Sequence, residues 1–165
     1  MRLTGYAAIE FAEKQNLRLS KHPDRLDGPR EGLTVAEAEA IAATLPTDCY
    51  RCLWTRGWVA TTARDWARAD REFAAALALA PSIPLAYAAW GESLAARGDL
   101  DRAAAKFRQS AEQGPHYADA QKSWGDLLAG EGRWKDALAK YDAALKFAPA
   151  WVELHQARDA AARRV

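Results

Sequence analysis

A period of 34 residues constrains this chain more than any other feature of its sequence. Gly91 recurs as Gly125, Gly98 as Gly132, Ala103 as Ala137, Phe107 as Tyr141, Pro115 as Pro149 and Trp90 as Trp124. One step back, Gly57, Ala69, Phe73 and Pro81 stand in the same register. Three units therefore run 50–83, 84–117 and 118–151 with no insertion or deletion between them. A repeat of this length is one supersecondary unit that buries its apolar face only against its neighbours, so the chain is expected to form a stacked array.

Each unit reads as two helices. Tyr87, Trp90, Gly91 and Leu94 follow the i, i+3, i+4, i+7 spacing of a buried helical stripe. Arg97-Gly98-Asp99 then offers a turn, because glycine adopts the left-handed conformation at little steric cost. Leu100, Ala103, Phe107 and Ala111 form a second stripe, and Pro115 lies where the helix must already have stopped, since proline lacks a backbone donor. Gly91 and Ala103 are expected to let the two helix backbones approach closely, with Phe107 and Trp90 filling the space between neighbouring pairs.

On these residues the chain resembles the tetratricopeptide repeat (TPR) family, whose pattern is W-x2-L-G-x2-Y, then A-x3-F, then P at 34-residue spacing. The position of the family's early Trp is held by Leu53, Tyr87 and Gln121, and the turn glycine of the first unit is replaced by Arg64. The resemblance implies an all-α fold, a right-handed TPR-type α-solenoid of antiparallel helix pairs with N- and C-terminal capping helices, and nine helices in all. Ser110 stands where a small alanine is usual, and its hydroxyl is expected to bond back to a carbonyl one turn earlier.

The ends follow from the same physics, since a solenoid needs terminal elements with a polar outer face. Residues 152–165 read as a C-terminal capping helix. Upstream, Thr4 to Asn16 carries apolar residues at Tyr6, Ile9 and Phe11, and Thr34-x-x-Glu37 is a capping box that opens a helix ended by Pro46. Residues 1–48 are thus an N-terminal helical cap or a degenerate repeat with a long loop at 17–33, and three tandem repeats occupy 49–151.

Several function classes lose their footing on composition. The 23 Lys and Arg residues balance 22 Asp and Glu, so no large field draws nucleic acid or an anionic membrane. No apolar run approaches the roughly 20 residues that span a bilayer. The N-terminal MRLTGYAAIEFAEK lacks the apolar stretch of a secretory signal, which leaves the cytoplasm as the expected location and predicts two reduced cysteines.

Two local constellations could carry chemistry. Cys49-Tyr-Arg-Cys52 has the spacing of a redox pair or half a zinc site, but no second Cys pair accompanies it, the three histidines are scattered, and TLPTD before it is not a strand. The pair reads as small structural thiols at a helix start. His22-Pro23-Asp24 matches the signature tripeptide of J-domain co-chaperones, yet too few residues precede it for the two helices that family places there. Without a phosphate-cradling glycine loop, an HExxH motif or a nucleophile elbow, the reading is of no enzyme, with no catalytic residues, no metal and no cofactor.

In the TPR family the outward face of each first helix lines a concave groove, and the resemblance places that groove here on Arg51, Trp54, Trp58, Leu85, Ala88, Glu92, Asp119, Lys122 and Asp126. Trp54 and Trp58, four apart on one helix, suit an apolar anchor, while Glu92 and Asp126 occupy one repeat position and suit a Lys or Arg. The clamp of basic residues by which some relatives hold acidic tails is not evident. Expected is a protein-binding scaffold for a partner with an apolar or aromatic anchor and a basic residue. A self-associating structural module that forms homo-oligomers and a co-chaperone-like adaptor stay open as alternatives.

Overall fold

The computed structural model describes residues 34–165, which form eight helices and no strand. The helix expected at 4–16, the loop at 17–33 and the His22 tripeptide lie outside the described residues. Two compact units divide the chain, one ending at Ala80 and the other running from Pro81 to Val165.

The first unit holds α1 (Val35–Thr44), α2 (Tyr50–Thr62) and α3 (Trp66–Leu79). Helix α1 opens on the expected capping box: the Glu37 amide donates to Thr34 Oγ1 at 3.3 Å and the Thr34 amide donates to Glu37 Oε2 at 2.8 Å. These hydrogen bonds satisfy orphan helix-start donors and hold the Glu37 carboxyl below its ordinary range. The helix ends because Leu45, preceding Pro46, is driven to extended backbone (φ −69°, ψ 145°). Helices α2 and α3 form an antiparallel pair, and Arg68 of α3 reaches Glu39 of α1 at 2.6 Å.

The second unit holds α4 (Pro84–Ala96), α5 (Leu100–Gln113), α6 (Ala118–Gly130), α7 (Trp134–Leu145) and α8 (Val152–Ala162). The pairs α4–α5 and α6–α7 pack as hairpins, α4 lies against α6, and α8 covers α7. Leu94, Ala103 and Phe107 form one core; Leu128, Ala137, Tyr141, Ala144, Leu154 and Ala161 form the next. Leu100, expected on the buried stripe, stays 37% exposed at the first residue of α5, where no preceding turn covers it.

The repeated glycines have a sharper role than backbone approach. An ideal Cβ on Gly91 would lie 2.6 Å from Phe107 Cε1, one on Gly57 2.8 Å from the Phe73 ring, and one on Gly125 2.5 Å from the Tyr141 ring. What the missing side chain admits is therefore the large ring of the second helix, seated directly against the first. Ser110 also departs from expectation: its hydroxyl donates to Pro84 O of α4 at 2.8 Å, not to a carbonyl of its own helix. Ser110 is fully buried, so its hydroxyl needs a protein acceptor, and a helix carbonyl can accept a second hydrogen bond on its remaining lone pair.

Three turns share one geometry. The amides of Asp65, Asp99 and Arg133 donate to Ala60, Leu94 and Leu128 carbonyls five residues back, all at 2.9 Å, closing the preceding helix with a left-handed residue. That residue is Gly98 (φ 84°) and Gly132 (φ 74°) in the second unit, but Arg64 (φ 58°) in the first. A non-glycine residue costs about 1 kcal/mol or more in this region, partly offset by glycine's larger unfolded-state entropy. Arg64→Gly should thus stabilise the protein by about 0.5–1 kcal/mol, read as a higher thermal midpoint; a lower one would mean that the arginine side chain secures the turn.

Candidate functional site

The face presented by the first helices can be followed residue by residue. On α2, Arg51 is exposed while Trp54 and Trp58 are half-buried, and the Trp54 indole N–H is turned inward without an acceptor among the described residues. The helix closes with Thr61 and Thr62 donating to the carbonyls of Gly57 and Trp58, so the face beyond Trp58 is polar only through satisfied hydroxyls.

On the second unit, α4 and α6 bring the remaining residues together. Ser123 Oγ donates to Glu92 Oε1 at 2.7 Å, bridging the two helices. Asp126 is held twice: Lys122 Nζ lies 2.7 Å from Oδ2, and the Tyr141 hydroxyl donates to Oδ1 at 2.8 Å. Leu85 and Asp119 are half-buried. Ala88 does not belong to the exposed face: it keeps 3% of its surface, and its short side chain is covered where α4 packs. Burial, together with the charges of Asp119 and Asp126, pushes the Glu92 carboxyl up to about 7 against the opposing effects of Ser123 and Lys122. The folded state thus binds this proton more tightly than the unfolded chain, and the associated stability is lost as pH rises from about 4.5 to about 7. Burial and Asp126 likewise raise the Tyr141 phenol.

A second recurring constellation was not anticipated. Lys106 Nζ sits 3.9 Å above the Trp90 ring and Lys140 Nζ 3.4 Å above the Trp124 ring, one pair per repeat. Stripping water from Lys140 lowers its pKa, consistent with the ring replacing solvent around the ammonium. At the same two repeat positions, the first unit carries Arg56 and Glu72, joined at 3.0 Å with both side chains largely buried. Cation–π pairs and an ion pair are thus alternative solutions at one register. The recurrence of Lys106 as Lys140, 16 residues after each tryptophan, was the available signal.

At the start of α2, the sequence expectation of reduced thiols is corrected. Cys49 and Cys52 are joined by a disulfide, with their Cα atoms 5.2 Å apart. One helical turn separates them, which brings the two side chains within bonding reach.

The paired helices define a helical-hairpin repeat protein. The sequence profile of the tetratricopeptide repeat matches residues 55–117 and 88–151, more than half of the chain, and the chain belongs to that family. No curated protein matches it. Among solved structures it is similar to the Arabidopsis OM64 TPR domain at 15% identity and TM-score 0.65, covering 72% of this chain and 98% of that one. It is similar to the TPR2B domain of yeast Sti1, in complex with pHsp70, at 19% identity and TM-score 0.63, covering 70% and 98%. The first TPR of Spaghetti (RPAP3), bound to the HSP90 peptide SRMEEVD, shares 12% identity at TM-score 0.66, covering 72% and 97%. At these identities the likeness speaks for the fold. Among the described residues no helix is long and apolar enough to cross a membrane.

Proposed function

We propose that this protein is a non-catalytic scaffold that holds another polypeptide on the faces of its first helices. Residues 1–48 serve as an N-terminal cap or degenerate repeat, and 152–165 as the C-terminal cap. The observation that carries this reading is the carboxyl cluster across α4 and α6, where Glu92 accepts from Ser123 at 2.7 Å and Asp126 holds the equivalent position of the next repeat. Burial and the charges of Asp119 and Asp126 make the Glu92 carboxyl costly to ionise, so it gains from an incoming cation. Trp54 and Trp58 supply an aromatic anchor site on α2. The partner accordingly carries an apolar or aromatic anchor and a Lys or Arg.

The peptide in the RPAP3 structure is acidic. An acidic ligand fits poorly here, because the Lys122 ammonium is already held by Asp126 and the carboxylates outnumber it. The ligand chemistry is instead inverted relative to that neighbour.

Two outcomes test this reading on a partner captured from the native cell extract. Trp54→Ala or Trp58→Ala should weaken binding by about 2 kcal/mol or more if these rings are hot spots, measured by calorimetry; unchanged affinity in both would place the binding surface elsewhere. A cation drives the Glu92 proton off, so affinity should rise with pH through about 7. The gain approaches tenfold per unit below that value, since one proton is released on binding. Glu92→Gln should flatten this profile. A profile that is equally steep in the variant would remove Glu92 from the site.

A further inference from the structure

The Cys49–Cys52 bridge has no part in the surface just proposed, and its two residues differ in burial. Cys52 is completely buried and packs against Leu45, whereas Cys49, at the edge of the same small cluster, is half-buried. Cys49 is also the N-cap of α2, and its Sγ accepts the Cys52 amide at 3.2 Å. A helix start favours negative charge through its unsatisfied amides, so a thiolate at Cys49 is stabilised where one at Cys52, enclosed by apolar groups, is not. The exposed Arg51 stands between the two in sequence and adds positive charge at the same helix start.

We propose that Cys49 and Cys52 form a thiol–disulfide exchange site, with Cys49 as the sulfur that reacts with external dithiols and disulfides and Cys52 as the buried resolving thiol. In the reducing direction, one thiolate of a dithiol attacks Cys49 Sγ. The bond to Cys52 breaks, and Cys52 leaves as a thiolate that takes a proton. The second thiol of the reagent then attacks its own sulfur in the mixed disulfide, releasing Cys49 and a cyclic disulfide. Two electrons and two protons pass from the dithiol to the protein. In the oxidising direction, Cys49 thiolate attacks a disulfide such as oxidised glutathione, one glutathione leaves, and Cys52 resolves the mixed disulfide by expelling the second.

The site is tested on the full chain with glutathione at graded ratios of its oxidised and reduced forms, counting free thiols by alkylation and mass. The two thiols should disappear together, as one two-electron couple. Cys52→Ser should accumulate a stable glutathione adduct at Cys49. Cys49→Ser should react about tenfold more slowly or less, because its remaining thiol is buried. Peptide mapping of the first adduct on the wild-type chain gives the same answer should either variant fold poorly, and it should fall on Cys49. A wild type that keeps both thiols reduced under fully oxidised glutathione would overturn the proposal, as would a first adduct on Cys52.

Discussion

Removing residues 152–165 should lower the thermal midpoint by about 10 °C or bring the chain out of solution. Leu154 is wholly buried and Ala161 keeps 1% of its surface, both within the cluster built on Leu128, Ala137, Tyr141 and Ala144. Uncovering on the order of 200 Å2 of apolar surface costs about 5 kcal/mol gross at 25 cal/mol per Å2. Helix α8 no longer has to be ordered, and the conformational entropy recovered offsets part of that cost. A net loss of about 3 kcal/mol corresponds to a shift of roughly 6–12 °C for a chain of this size. The polar contacts of α8 contribute little by comparison: the Arg158 guanidinium meets Asp142 at 3.1 Å, but both side chains are exposed. Leu154→Asp in the full-length chain should reproduce most of the effect by burying a charge instead of a leucine. A midpoint within about 2 °C of wild type in the truncated chain would mean that α8 adds no net stability.

The helix pairs were legible in the sequence because packing repeats when residues repeat. Gly57, Gly91 and Gly125 recur with Phe73, Phe107 and Tyr141, and the same ring-on-glycine contact recurs with them. Gly98 and Gly132 announced their turns, and the same period singled out Arg64 as the residue forced into a glycine's conformation. Hidden from the sequence were the partners of single polar groups. The Ser110 hydroxyl could be assigned a local acceptor by rule, but its actual acceptor, Pro84 O, is 26 residues away and depends on how two helices meet.

Legibility of the candidate site divides along the same line. Register placed Glu92 and Asp126 at equivalent positions of successive repeats, and the structure shows Asp126 among the charges that raise the Glu92 carboxyl. Spacing along one helix could not show that Ser123 bridges to Glu92 or that Tyr141 holds Asp126, since both bonds cross between helices. Ala88 was assigned to the exposed face through the repeat register, which does not show how closely neighbouring groups cover a single methyl. The cysteines were read through an assumption about compartment, which carries no information on geometry; one turn of helix brings them together whatever the surroundings.

Gly91→Val should cost about 3 kcal/mol or more, while Gly91→Ala costs about 1–3 kcal/mol, by overpacking. An ideal Cβ at this position would lie 2.6, 2.8 and 3.0 Å from three atoms of the Phe107 ring, closer than carbon atoms approach. The ring cannot swing clear, since it is 1% exposed and enclosed with Leu94 and Ala103. The helix pair must therefore spread, which loosens every contact along its seam. Shrinking the ring relieves the clash, so Gly91→Ala combined with Phe107→Leu should be more stable than the two single costs predict, with a coupling of about 1 kcal/mol or more for residues in direct contact. Gly130→Ala supplies the control: nothing lies within 4 Å of its ideal Cβ, and its backbone is helical. That substitution should be neutral or stabilising by up to about 1 kcal/mol on helix propensity alone. Denaturant titration of the five variants, Phe107→Leu alone included, measures all the terms, and strictly additive costs for Gly91→Ala and Phe107→Leu would show that the glycine is not there to seat the ring.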